Sequence, residues 1–534
     1  MSETSIVASA EKITTYDDVP YESLPFEQAH PDRMATMAKL FGMNPAPMET
    51  CRVLELGSAA GGHIIPFAYS YPGSHVVGID LSQVQIDEGN ALVSALGLKN
   101  IELKQMSISD VKPDLGTFDY IICHGVFAWI PDKVQEDVLR ICEQMLSPNG
   151  VAYISYNCYP GWRMRGMIRE MMQYHSAQFS DVQTKVFQAR ALLSFLGESV
   201  PADTAYGMML KSEVDFLNPQ PDSYMYHEFL EDLNKPMYFH DFAERAQRHK
   251  LQYLGESEIF SMLTNNLPQQ VADTITSISN EIVRTEQYLD FVRNKYFRQT
   301  LLCRQEMVLN RALGPHSVLP FYIAGAIQPV SQEMDIRSNQ PDYFEIPPGI
   351  RMGTSNPLTK AALQHLGKIW PQCIEVEELI RIAQTSIAAG GISVKDSATI
   401  ELEKNSLASD ILTMYANGLC RLRTGKAAFT TALSEKPKAS ELARQQAVKG
   451  MHITNQLHQV VSADQLGNKV IELCDGQKTR SEILQALAAF FKEGKLNLQK
   501  DGKTVTDEST LKEILEPMLD NCLERLRMAA LLIA

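Results

Sequence analysis

The chain has 534 residues, too many for one hydrophobic core, since cores stop growing at about 250 to 300 residues; three or four domains are expected. Its 45% hydrophobic and 21% charged content excludes a disordered or fibrous chain and permits large cores without a metal or disulfide staple. A net charge of −15 repels polyanions over most of the surface and argues against nucleic acid as a partner, because such binding rests on Lys and Arg neutralising phosphates.

The N-terminal stretch MSETSIVASAEKITTYDD has neither a basic n-region nor an apolar h-region, and nowhere do about 18 apolar residues run uninterrupted. The nine cysteines are odd in number, scattered, and never form a C-x-x-C pair, the usage of reduced thiols and not of zinc. A cytoplasmic protein with no membrane insertion and no metal is expected. Tyr16 and Tyr21, in TTYDDVPYESLPFEQAHP, precede the first strand, where the segment serves either as a lid over a ligand or as a packing arm.

From Val53 to about Tyr156, strand-like runs (CRVLELG, HVVGIDLS, IELKQM, FDYIICHG, GVAYISYN) alternate with helical ones (HIIPFAYSY, QIDEGNALVSALG, DKVQEDVLRICEQML). Strands separated by helix-length segments are repeated βαβ units, so a doubly wound, Rossmann-like α/β sheet is expected, with Ser147-Pro148-Asn149-Gly150 as a turn into the last of these strands.

The first strand leads into VLELGSAAGGH and the second ends at Asp80, 23 positions past Gly57. A dinucleotide fingerprint reads G-x-G-x-x-G, its middle glycine letting the backbone approach a pyrophosphate; Ala59 stands there instead. Glu55, two positions before Gly57, aims negative charge at the ligand, which repels pyrophosphate and suits a cation. S-adenosylmethionine carries a sulfonium and an ammonium and no phosphate. Asp80 is placed to accept ribose hydroxyls, as an acid does in NAD enzymes also; only its combination with Glu55 and Ala59 favours S-adenosylmethionine. A ligand-free β–α joint is the plainer alternative.

These residues resemble the first motif, E/D-x-G-x-G-x-G, of the class I S-adenosylmethionine-dependent methyltransferases. FDYIICHGVFAWIP, GVAYISYNCYPGW, YMYHEFLEDLNKPMYFHDFAERAQRHKLQYLGES and EQYLDFVRNKYFRQTLLCR further resemble bacterial methyltransferases with a methyltransferase regulatory domain, a group that includes rickettsial protein-lysine methyltransferases acting on outer-membrane surface proteins. The resemblance spans roughly residues 15 to 310. It implies that Glu55, Gly57, Ser58, Ala59, Gly61 and Gly62 form the methionine-side loop, that Asp80, Leu81 and Gln85 hold the ribose and adenine edge, that Ser107 and Ile108 flank adenine, and that His124 and Gly125 lie beside the methyl group. The third strand runs into KQMSIS, without the aspartate such enzymes place near the adenine amino group; Ser107 or the backbone beside it is expected to serve instead, with Asp110, three residues on, placed to compensate.

Methyl transfer is an in-line displacement at an already activated carbon, so the protein supplies position and desolvation. For a lysine acceptor, with a free pKa of about 10.4, the ammonium must also be disfavoured or its proton removed. His124 is a candidate proton acceptor, or else a hydrogen-bonding strand-end histidine. Trp129, Tyr156, Asn157 and Trp162, near Phe127 and Tyr159, are candidates for the acceptor side, the tryptophans as a cation–π wall or as packing between domains.

Beyond Trp162 the strand rhythm gives way to helical spacing in RMRGMIREMMQYH, VQTKVFQARALLSFL and HDFAERAQRHKL. Tyr226, His227 and Glu228 lack metal-ligand spacing and are expected to make structural hydrogen bonds. RNKYFRQTLLCR, with Arg293, Lys295, Arg298 and Arg304, reads as a solvated helix face, with contact to an acidic partner as the alternative. Ile346-Pro347-Pro348-Gly349 reads as a linker. WPQCIEVEELIRIAQ and NKVIELCDGQKTRSEILQALAAF, the latter with Thr479 and Ser481 as candidate N-caps, fit winged-helix-like units that contact protein and not DNA. The expected division is a methyltransferase domain with its N-terminal lid (1–170), a helical regulatory or dimerisation region (171–265), a middle domain (266–355) and a winged-helix-like domain (356–534). A protein-lysine methyltransferase able to form a homodimer is the reading; a small-molecule methyltransferase, a NAD-dependent oxidoreductase and a non-catalytic cofactor sensor are the alternatives.

Overall fold

The computed structural model describes residues 22–534 except 265, 332, 389–395, 451, 494–498, 501–502 and 505–506. Tyr16 and Tyr21 lie outside the described residues.

A seven-stranded sheet organises the molecule. Strands β1 (Arg52–Leu56), β2 (His75–Asp80), β3 (Ile101–Gln105), β4 (Phe118–Cys123), β5 (Leu146–Asn157), β6 (Leu251–Glu256) and β7 (Phe297–Arg304) lie in the order β3-β2-β1-β4-β5-β7-β6. The first five are mutually parallel, and β7 runs antiparallel between β5 and β6. Strand order reverses between β1 and β4, and the carboxyl ends at such a switch point form a crevice.

Alternation along each strand builds two cores. Val53, Val76, Tyr120, Ile122 and Tyr153 face the helix Pro31–Leu40, with the 318–422 region packed on the same core. Their neighbours Leu54, Val77, Ile121 and Ile154 face the helices Asp132–Met145 and Phe239–Arg248. Burial on both faces explains the continuous apolar runs of the central strands. The helices Trp162–Ser176, Val182–Ser199 and Ala205–Leu217 share a third core with Phe229, and residues 439–532 form a fourth, in which the capping box of Thr479 and Glu482 starts the helix Arg480–Lys492.

Four expectations change. The sheet does not end near residue 170, because β6 and β7 return to it after the helical excursion. RNKYFRQTLLCR supplies β7, and Arg298 is buried against Glu256, Glu286 and Asp290 at 2.7 to 3.0 Å instead of facing water. Residues 147–150 bulge out of β5, whose pairing with β4 jumps from Phe118↔Leu146 to Tyr120↔Val151. Ile346 to Gly349 forms the turn of the hairpin Asp342–Ile346/Ile350–Thr354, not a linker.

Candidate active site

A cavity of about 610 Å³ opens at the carboxyl ends of β1, β2, β4 and β5. One half is built by short segments that follow each parallel strand. The turn after β1 adopts left-handed backbone at Gly57 (φ +81°), Ala59 (φ +47°) and Gly61 (φ +77°). At Gly57 an added Cβ would stand 2.5 Å from Val126 Cγ2, so glycine is required there. Ala59 tolerates the disfavoured conformation because its amide donates to Asp80 Oδ2 at 2.8 Å, while Asp80 Oδ1 accepts from the Ser82 amide at 2.9 Å. Asp80 therefore fixes the loop as well as facing the cavity.

Glu55 is 3% exposed, and burial, with the charge of Asp80 added, pushes its carboxyl well above the usual carboxylate range. Glu55 Oε2, Ser58 Oγ and Gln85 Oε1 are buried without hydrogen-bond partners among the described residues, and all three residues line the cavity. Leu81 and Ile108 add apolar wall, Leu81 being 54% exposed. Ser107 lines the cavity, but its hydroxyl accepts from the Ser109 amide at 3.3 Å, and Asp110 is exposed and does not reach the cavity.

Gly61 and Gly62 shape the loop without lining the cavity. A Cβ at Gly62 would stand 2.0 Å from the Ser23 carbonyl oxygen, and the Gly62 amide donates to Ser23 Oγ at 2.8 Å. The glycine admits the segment around Ser23, which with Leu24 and Phe26 forms part of the cavity wall.

His124 and Gly125 follow β4. His124 Nδ1 meets Tyr153 OH at 2.9 Å and Ser155 Oγ at 3.2 Å, and its ring lies 3.9 Å from that of Phe26. Burial, helped by His63, lowers its pKa to about 3, so the ring is neutral and a poor proton acceptor near pH 7. The Gly125 amide donates to Ser155 Oγ at 2.8 Å.

The other half joins distant segments. Trp129 and Trp162 stand edge to face at 6.3 Å, and the Trp162 Nε1 is buried without a partner among the described residues. Asn157 lines the cavity and donates to Asn234 Oδ1 at 3.2 Å. Tyr156 does not line it: alternation along β5 turns its ring away, to stack on Phe242 at 4.3 Å with its hydroxyl 3.2 Å from Thr300 Oγ1. Its proposed place on the acceptor side is therefore withdrawn. Arg165, Tyr224, His227, Glu228 and Tyr296 complete the wall. His227 makes the expected structural bond, to Glu231 at 3.0 Å, yet both it and Glu228 face the cavity, which their spacing alone did not indicate. The only signal for them was their place inside the YMYHEFL segment of the resemblance.

Residues 48–206 match the family described as methyltransferase domain, 221–304 the predicted methyltransferase regulatory domain, and 435–531 the PKMT C-terminal winged helix domain. The protein RP789 of Rickettsia prowazekii (strain Madrid E) is 35% identical over 526 residues, 97% of this chain and 93% of that one. The structure of PKMT2 from Rickettsia typhi in complex with AdoHcy superposes with a TM-score of 0.87 at 33% identity, over 96% of this chain and all of that one. The chain belongs to this family of S-adenosylmethionine-dependent methyltransferases. An arsenite methyltransferase of Aquipseudomonas alcaligenes is 30% identical over 151 residues, 27% of this chain and 43% of its own. The cavity fits the cofactor chemically: two carboxylates and unpartnered polar atoms line its first half, and among the described residues no Lys or Arg lines that half for a phosphate to bind. Among the described residues no helix is long and apolar enough to cross a membrane.

Proposed function

We propose that this methyltransferase acts in the cytoplasm on lysine side chains of a protein, with an outer-membrane surface protein as the first class to test. Support comes from the PKMT designation of both the winged-helix family and the Rickettsia typhi structure, and above all from the second half of the cavity, which Trp129, Trp162, Tyr224 and Tyr296 line together with the half-buried carboxylate of Glu228. Aromatic faces and a carboxylate are what an alkyl ammonium seeks.

In this reading Glu55, Gly57, Ser58 and Ala59 receive the amino-acid tail of the cofactor, and Asp80, Leu81 and Gln85 its ribose and adenine edge. Ser107 and Ile108 flank adenine, while Gly61 and Gly62 hold the loop in shape. When bound, S-adenosylmethionine supplies an electrophilic methyl group. His124 and Gly125 border the place where it is transferred, and Trp129, Trp162 and Asn157 orient the acceptor and exclude water.

Incubation of the protein with methyl-labelled cofactor and a bacterial lysate, followed by mass spectrometry, tests this. Label on lysine Nζ of a protein is expected; label only on small molecules, or on no amine, overturns it. Self-association belongs to the same reading, because the helices Trp162–Ser176 and Val182–Ser199 expose Tyr174 (89%), Phe187 (67%) and Phe195 (62%). Light scattering at micromolar concentration should give twice the chain mass.

A further inference from the structure

We infer that Glu228 is a catalytic residue that pairs with the acceptor's ammonium in the cleft and takes its proton before methyl transfer. This rests on the lysine reading above and names the group that reading lacked, since His124 binds a proton too weakly.

The placement begins with the backbone. Residues Tyr226–Leu230 form a π-helical turn, closed by the Glu231 amide on the Tyr226 carbonyl at 3.1 Å, and such widened turns recur at functional sites. Met225, Tyr226 and Phe229 enter the helical core, leaving His227 and Glu228 on the side that meets the cavity. The charged groups around Glu228 come from three elements. On Trp162–Ser176, Arg165 is held by Glu213 of Ala205–Leu217 at 3.4 Å and lies over the rings of Phe216 and Tyr296 at 4.7 and 4.4 Å. Arg169 of the same helix donates to the Glu231 carbonyl oxygen, and His227 is paired with Glu231. Each of these neighbours has its own partner, whereas Glu228 makes no salt bridge among the described residues. Enclosure raises its pKa to about 7 against the opposing pull of Arg165, His227 and Arg169.

A base matched to neutral pH is what a lysine acceptor requires, since at a free pKa of about 10.4 only about one amine in 2,500 is neutral at pH 7. The Nζ–H bond breaks and its proton passes to the Glu228 carboxylate. The nitrogen lone pair then forms the N–C bond as the C–S bond breaks, sulfur keeping the electron pair. The methylated ammonium departs and Glu228 returns its proton to solvent.

The test uses the full chain and the lysine peptide identified from the lysate. For the native protein kcat/KM should rise through about pH 7 and level off. Glu228→Gln should lose about 100-fold at pH 7 and keep rising toward pH 10, with cofactor affinity within twofold by calorimetry; Glu228→Asp should restore part of the loss. A peptide with the less basic aminoethylcysteine in place of lysine should recover much of the Glu228→Gln deficit. An unchanged pH profile in Glu228→Gln, or an equal deficit with both peptides, overturns the inference while lysine labelling by the native protein leaves the proposed function standing. Absence of amine labelling by the native protein removes both.

Discussion

The two halves of the cleft are built on different principles. The half proposed for the cofactor comes from residues 55 to 108, on segments that follow the parallel strands. The half proposed for the acceptor joins residues 129, 157 to 165, 224 to 228 and 296 to 299, brought together by the helical excursion and the return of β7. A site of the first kind is set by one supersecondary unit. A site of the second kind depends on whatever locks β7 and its neighbours in place.

That lock is the charge cluster around Arg298, which is fully buried against Glu256, Glu286 and Asp290, with Lys295 3.4 Å from Glu256. It extends through Thr300, whose hydroxyl donates to Glu256 at 2.9 Å, to the hydroxyl of Tyr156 on β5. Breaking a buried pair by removing one partner costs about 3–5 kcal/mol, because charges remain uncompensated. Arg298→Ala should therefore lower the melting temperature by on the order of 10 °C. Below that transition methyl transfer should fall sharply while cofactor affinity stays within a few-fold. Equal loss of both, by activity assay and calorimetry, would show that the halves are not separable.

Asp80→Ala breaks the other half. Lost ribose hydrogen bonds to a charged acceptor, with the freed Ala59 amide added, should weaken cofactor binding by about 2–4 kcal/mol, or about 30- to 1,000-fold by calorimetry. The melting temperature should move little, since the Arg298 cluster is untouched. Unchanged affinity would displace the cofactor assignment.

The same division governs how much the sequence disclosed. Continuous apolar runs separated by helix-length segments, a glycine turn and an acid at the next strand end are local patterns, so the parallel sheet and the residues Glu55 to Gln85 are legible directly. Ala59 was marked as a departure, and its remedy, an amide bond to Asp80, is equally local. Tyr156 and Glu228 are not legible for one reason: which way each faces depends on tertiary packing, on Thr300 and Phe242 for the first and on the helical core that takes up Met225, Tyr226 and Phe229 for the second. β7 was misread because its basic residues look solvated until the carboxylates of β6 and of the helix Ile282–Arg293 are placed against Arg298.

A smaller effect concerns the seam between the cofactor half and the C-terminal unit. His458 Nε2 lies 2.9 Å from His63 Nδ1, which also accepts from the Phe26 amide at 3.2 Å, while His30 packs edge-on against His458 at 4.6 Å. His63 Nδ1 can accept these bonds only when unprotonated, and burial lowers His63 to about 4 and places His30 and His458 well below the usual value. Arg423 and Arg33 beside His30 act in the same sense. The unfolded chain, with histidines near 6.5, then binds more protons below that pH, so the contribution of the seam is complete above about pH 6.5 and is lost as pH falls toward 4. Glu55 and Glu228, with raised values, act in the opposite direction, because the folded state holds protons that the unfolded state has released. The histidine effect is therefore read as a difference: between pH 7.5 and 5.5 the native protein should lose about 1 kcal/mol more than His458→Gln, some 2–4 °C of melting temperature. Because Phe26 hangs from His63 and Ser23 from the glycine loop, cofactor affinity should weaken with the seam on acidification, and parallel losses in both proteins would show that the histidines do not hold the segment in place.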